Sequence, residues 1–169
     1  HGGADELKLP RNLVVTPAGY MYVSDEFNHR VKGFRIDPAT YTISLVTTLG
    51  WQNSLGEYVP AGPIIRGVDK DYGVDSTYYD DYAGSPEKIH GFRIPQGLAY
   101  WRSPDGSRTY MYVTDNGNNR IKIFEVGSTG TLTLVDILGR FVYEGAVDHV
   151  KRPRGVRTDR DGNLYVADT

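Results

Sequence analysis

The chain has no cysteine among its 169 residues. This excludes a disulfide framework, a thiolate nucleophile and a Cys-ligated zinc within it. No apolar run approaches the ~18 residues that a membrane-crossing helix needs. Charge of one sign is lacking too. The formal net charge is −2, which argues against a nucleic-acid or anionic-membrane partner held by bulk charge. There is no Asn-x-Ser/Thr sequon, no His-x-x-x-His spacing, no nucleophile elbow and no phosphate-binding glycine loop. The chain opens on His1 without a leader pattern, which reads as a start within a longer sequence or a mature end after leader removal.

What remains is an ordinary composition, 39% hydrophobic and 24% charged, at a length that fits one domain. Its organising feature is repetition. Tyr22-Val23-Ser24-Asp25 matches Tyr112-Val113-Thr114-Asp115 and Tyr165-Val166-Ala167-Asp168. Asn28-His29-Arg30-Val31 matches Asn118-Asn119-Arg120-Ile121. Upstream stand Pro10-Arg11-Asn12-Leu13, Pro95-Gln96-Gly97-Leu98 and Pro153-Arg154-Gly155-Val156. The spacing from proline to the motif Asp is equal in the first and third copies. In the second it is longer, because a turn over Arg102 to Arg108 is inserted.

Short β-branched and aromatic runs bounded by Gly, Pro, Asn and Asp predict strands. In the first copy these are Asn12 to Val15, Tyr20 to Ser24, Arg30 to Ile36 and Thr42 to Thr48. The second gives Gln96 to Trp101, Tyr110 to Thr114, Arg120 to Val126 and Thr131 to Leu138. The third supplies only Gly155 to Thr158 and Asn163 to Ala167. Asp115-Asn116-Gly117-Asn118-Asn119 is the inner turn, where Gly117 and the Asn residues tolerate positive φ. Four short antiparallel strands per copy is the pattern of a propeller blade. The fold class is therefore all-β, a β-propeller of four-stranded antiparallel blades, here about two and a half of them. The blades fall at 9–50, 92–139 and, as a half blade, 152–169. Between them lie a long insertion at 51–91, read as a loop with at most one hairpin, and a connection at 140–151.

These residues resemble the NHL repeat, whose pattern runs Pro-Arg-Gly-Val, Asp-Gly-Asn, Tyr-Val-Ala-Asp, Asn-x-Arg-Val. Pro153 to Val156 with Asp161 to Asp168 fits it almost letter by letter, and the first two copies add the Asn-x-Arg segment. The 51–91 insertion lies outside the resemblance, and the Gly-His and Trp-Asp pairs of WD40 blades are absent. The resemblance implies a six-bladed ring. The chain is too short for one, so it is expected to be a piece of a longer chain, or else to finish the structure by self-association.

Propeller sites gather where innermost strands converge. The residue after each motif proline begins such a strand, so Arg11, Gln96 and Arg154 are the candidate channel rim. Two guanidiniums and an amide suit a carboxylate, a phosphate or an acidic partner surface; the plainer reading pairs these arginines with neighbouring-blade carboxylates. Amidating lyases resemble NHL propellers and place zinc-binding His just after the equivalent proline. Here those positions hold Arg, Gln and Arg, and Arg cannot ligate zinc. His29, His90 and His149 read as turn or packing residues. Asp25, Asp115 and Asp168, with Arg30 and Arg120, read as a blade-stabilising network.

In the insertion, Tyr78, Tyr79, Asp80, Asp81 and Tyr82 form a candidate partner-contact loop, since Tyr is common at interfaces. Asp69, Asp71 and Asp75 alternate as in a calcium loop, but Gly73 and Val74 fall where an EF-hand wants a ligand and a glycine. No metal or cofactor is assigned, with calcium the alternative at that loop. The functional expectation is a non-catalytic binding or scaffold module contacting protein or polysaccharide, secreted or at the cell surface rather than cytoplasmic. The alternatives are a propeller lyase or hydrolase of amidating-lyase or lactonase type, with its catalytic residues outside this chain, and a self-assembling structural subunit.

Overall fold

The computed structural model describes residues 6–52, 58–59 and 91–169. Strands β1 (Pro10–Val15), β2 (Tyr20–Asp25), β3 (Arg30–Ile36) and β4 (Ile43–Leu49) form an antiparallel sheet in chain order. A two-stranded pair, β5 (Trp51–Gln52) and β6 (Tyr58–Val59), follows. The second four-stranded sheet repeats the meander with β7 (Pro95–Arg102), β8 (Thr109–Asp115), β9 (Arg120–Val126) and β10 (Leu132–Leu138). The connection at 140–151 carries a hairpin of its own, β11 (Arg140–Tyr143) against β12 (Ala146–His149). The third copy has only β13 (Gly155–Thr158) and β14 (Leu164–Ala167). The ten predicted strands are therefore present, four of them (β1, β2, β7 and β8) a residue or two longer than expected and the others within one residue.

One local expectation gains detail and another changes. The connection expected at 140–151 contains the β11–β12 hairpin. Its turn residues, Glu144 at φ 48° and Gly145 at φ 80°, are both left-handed, as a two-residue primed turn requires. The inner turns are single turns of 3-10 helix, Glu26–Asn28 and Asn116–Asn118, closed by left-handed His29 and Asn119. Positive φ thus falls on Asn119 and not on Gly117. Gly117 is needed for closeness instead: a Cβ there would stand 2.8 Å from the Arg93 carbonyl oxygen.

The sheets stack face to face, with β7 against β1 and β2 on one side and against β13 on the other. Because side chains alternate along a strand, the second sheet feeds two cores. Leu98, Met111, Val113, Phe124 and Leu132 meet Tyr22 and Val31 of the first sheet, with Phe92 between. Ala99, Tyr112 and Ile121 face the other way, onto Val150 and Val156. Burial on both faces explains why these strands read as short continuous apolar runs rather than clean alternation. At the two ends the outward positions, Leu13 and Val15 on β1 and Tyr165 on β14, are exposed.

Candidate functional site

The rim is set by a hydrogen-bond scheme that repeats with the sequence. Each motif Asp accepts a backbone N–H from the residue two before the motif proline. Asp25 Oδ1 takes Lys8 N at 2.6 Å, Asp115 Oδ1 takes Arg93 N at 2.7 Å, and Asp168 Oδ1 takes Lys151 N at 2.6 Å. The second oxygen of Asp25 accepts from Asn28 Nδ2 and Arg30 Nε, and that of Asp115 from Asn118 Nδ2 and Arg120 Nε. Both Asp–Arg pairs are buried. Arg120 also donates to the Gly91 carbonyl at 3.1 Å, and Arg30 donates to the Glu6 carbonyl. The paired charges expected from the sequence are thus structural: they tie each sheet to the segment that leads into it.

That segment is strained in every copy. Leu9, Ile94 and Arg152, each directly before a motif proline, have φ of 54°, 57° and 45°. A β-branched or long side chain before proline ordinarily avoids that region. The surrounding donors and acceptors hold it there. Ile94 N donates to His29 Nδ1 at 3.2 Å, and Arg152 N donates to Asn119 Oδ1 at 2.9 Å. His29 and Asn119 occupy the same repeat position, so an imidazole and an amide do the same thing there. Each accepts an N–H from the next sheet's lead-in.

One residue beyond the proline comes the rim. Ser24 Oγ donates to the Gln96 carbonyl at 2.7 Å, and Thr114 Oγ1 donates to the Arg154 carbonyl at 3.1 Å. A hydroxyl from each sheet therefore pins the rim residue of the next. The side chains of Arg11, Gln96 and Arg154, with Gly97 and Gly155, line one open cavity of about 350 Å³.

Their electrostatic settings differ. Arg11 Nε contacts Glu26 Oε2, and that partner raises the Arg11 pKa. Gln96 Nε2 reaches Glu26 Oε1 at a long 3.4 Å. Glu26 is buried, and it lies in the 3-10 turn between β2 and β3, in the same repeat as Arg11 rather than in a neighbour. Arg154 is exposed, and its guanidinium pairs with no carboxylate among the described residues. At the position equivalent to Glu26 the second copy has Asn116, whose Nδ2 donates to the Pro153 carbonyl at 3.2 Å. Sequence reasoning passed over Glu26 as a turn residue. The available signal was a carboxylate in the first copy standing where the second has an amide.

Asp69, Asp71, Asp75, Tyr78, Tyr79, Asp80, Asp81, Tyr82 and His90 lie outside the described residues. Among the described residues, no three His, Asp or Glu side chains gather in a group that could hold a metal ion. Among them, too, no helix is long and apolar enough to cross a membrane.

His29 gives the site a pH dependence. Burial lowers its pKa from 6.5, the nearby Arg93 pushes the same way, and Asp115, Glu26 and Asp25 oppose. The unfolded chain therefore takes up the proton at higher pH than the folded one, and protonation removes the acceptor that Ile94 N uses. His29's contribution is complete above the unfolded value and is lost as pH falls through it toward the folded value. His29→Asn, which copies Asn119, should flatten the stability profile between about pH 7.5 and pH 5. Urea midpoints across that window test this, and an unchanged slope in the variant would refute it.

No protein-family model and no curated protein sequence matches the chain. Solved structures do resemble it. An auxiliary nutrient-binding protein from Bacteroides thetaiotaomicron aligns over 92% of this chain and 34% of its own, at 16% identity and TM-score 0.56. A Lactobacillus plantarum protein aligns over 94% of this chain and 35% of its own, at 16% identity and TM-score 0.52. A Bacteroides fragilis protein provisionally named 6-phosphogluconolactonase aligns over 94% and 32%, at 18% identity and TM-score 0.51. The chain thus spans about a third of the length of these neighbours, and at such identities the likeness is one of fold: an all-β assembly of propeller-type antiparallel sheets.

Proposed function

We propose that the chain is the binding part of an NHL-type propeller, a non-catalytic module that holds an acidic protein surface or polysaccharide at its rim. The observation that carries this is the convergence of Arg11, Gln96 and Arg154, from three sheets, on one cavity in which Arg154 has no carboxylate partner among the described residues. A guanidinium so placed beside an amide offers several fixed N–H donors to a carboxylate or phosphate. The nutrient-binding neighbour supports a binding role; a secreted or cell-surface location is part of the same proposal. Leu13 and Val15 at one end of the stack and Tyr165 at the other are exposed. They suit further sheets, in a longer chain or in a second copy.

Arg154→Ala should weaken binding of polygalacturonate or a poly-glutamate peptide at least ~10-fold, the scale of one charge-assisted pair, without moving the unfolding midpoint. Titration calorimetry measures it. Equal binding by the variant would remove the rim from the site. The second reading, a lactonase-type hydrolase, takes its support from the Bacteroides fragilis neighbour. It would need its metal ligands from outside the described residues.

A further inference from the structure

Resting on the rim reading above, we propose that the cavity selects a monocarboxylate that also carries hydroxyls, a sugar acid such as a hexuronate, and that Glu26 sets this selectivity. Charge comes first. Arg11 and Arg154 line the cavity, and Glu26, buried just behind the lining, contacts Arg11 and lies 3.4 Å from Gln96. That pairing leaves one net positive charge, on Arg154. A ligand with a single carboxylate satisfies it. A second anionic group placed toward Arg11 would meet the Glu26 carboxylate, and like charges at such range repel.

The amide adds the second half of the recognition. Gln96 turns its Nε2 toward Glu26. A carboxylate is acceptor-only, so the amide's NH₂ end must face it and the carbonyl end is directed elsewhere. Oε1 is then an acceptor for a ligand O–H beside the carboxylate bound at Arg154. Gly97 and Gly155 complete the lining with backbone alone. The volume of about 350 Å³ lies near the lower end of small-ligand sites, roughly 300–1,000 Å³, which suits one terminal sugar residue rather than a long stretch of polymer.

The repeat supplies an internal control. Asn116 occupies in the second copy the place that Glu26 holds in the first, and it gives its amide to the Pro153 carbonyl. Asn116→Glu would put a carboxylate toward Arg154, the next sheet's rim residue, as Glu26 stands toward Gln96. Glu26→Gln would do the reverse and release Arg11.

The probes are galacturonate, with one carboxylate, and galactarate, its dicarboxylate relative, titrated into the intact protein. Wild type should prefer galacturonate. Glu26→Gln should raise galactarate affinity ~10-fold or more relative to galacturonate, so that the preference inverts. Asn116→Glu should weaken both ligands by a similar factor, and it serves alone if Glu26→Gln does not fold. A galacturonate-to-galactarate ratio that Glu26→Gln leaves within about twofold overturns the proposal, as does wild-type indifference to galacturonate. The rim reading fails separately: Arg154→Ala would then bind every acidic ligand as wild type does.

Discussion

Asp115→Ala is expected to cost about 3–5 kcal/mol of folding stability, the range for removing one partner of a buried ion pair. Asp115 is fully buried, and its two oxygens serve three donors: Arg93 N, Asn118 Nδ2 and Arg120 Nε. Without the carboxylate, the Arg120 guanidinium loses its counter-charge in a region that water does not reach. Lys122 worsens matters. It is buried beside Arg120, donates to the Gly91 carbonyl at 2.7 Å and lies 4.4 Å over the Phe92 ring. Desolvation drives its pKa well down, Arg120 adds to that, and Asp115 is the charge that opposes.

Two comparisons make this prediction specific. Asp168 occupies the same repeat position but is exposed, with a backbone donor in place of the arginine pair. Asp168→Ala should cost about 1 kcal/mol or less, the scale of one exposed hydrogen bond. Asp115→Ala combined with Arg120→Met should cost less than Asp115→Ala alone, because the Arg120 guanidinium is then no longer an orphaned buried charge. Urea denaturation of the wild type and these variants measures all of this. If Asp115→Ala costs no more than Asp168→Ala, the buried pair is not what holds the second sheet to its lead-in segment. A loss of 3–5 kcal/mol is a large share of the roughly 5–15 kcal/mol that keeps a domain folded. The double variant keeps the test readable if the single one unfolds.

How much of this was legible can be judged residue by residue. Tyr-Val-Ser-Asp, Tyr-Val-Thr-Asp and Tyr-Val-Ala-Asp located β2, β8 and β14, because strand propensity agrees with the turn residues after the first two motifs and before the third. That Arg11, Gln96 and Arg154 line one cavity follows from a related regularity: a proline at a fixed repeat position stands at the start of each sheet's first strand, so the residue after it recurs in the same place. The left-handed Leu9, Ile94 and Arg152 were not legible. Local rules oppose that conformation at each of them, and only acceptors from elsewhere in the fold, His29 and Asn119 among them, impose it. Glu26 was hidden similarly, since its partner Gln96 lies 70 positions away. The β11–β12 hairpin could have been found. Glu144-Gly145 between two short strand-forming runs is a turn signal.

Gly97→Ala is the second large effect, and it reaches from packing into function. A Cβ at Gly97 would lie 2.4 Å from the Arg154 carbonyl oxygen and 3.1 Å from both Thr114 Oγ1 and Val156 N. The first contact is with backbone, so no rotamer change relieves it. β7 and β13 would have to separate, and overpacking of this kind costs about 1–3 kcal/mol or more. Gly97 N also donates to Thr114 Oγ1 at 2.6 Å, and the same hydroxyl donates to the Arg154 carbonyl. One added methyl group therefore strikes the atom that pins Arg154 to the rim. The equivalent residue of the first copy, Asn12, carries a side chain, so the close approach belongs to the second interface and not to the repeat as such. Asn12→Ala should accordingly be mild where Gly97→Ala is severe. Gly97→Ala should also weaken acidic-ligand binding under conditions where the variant is still folded, since the Arg154 backbone must move. A variant that keeps both its urea midpoint and its affinity would mean that β7 and β13 part at no cost, and that the rim does not depend on their spacing.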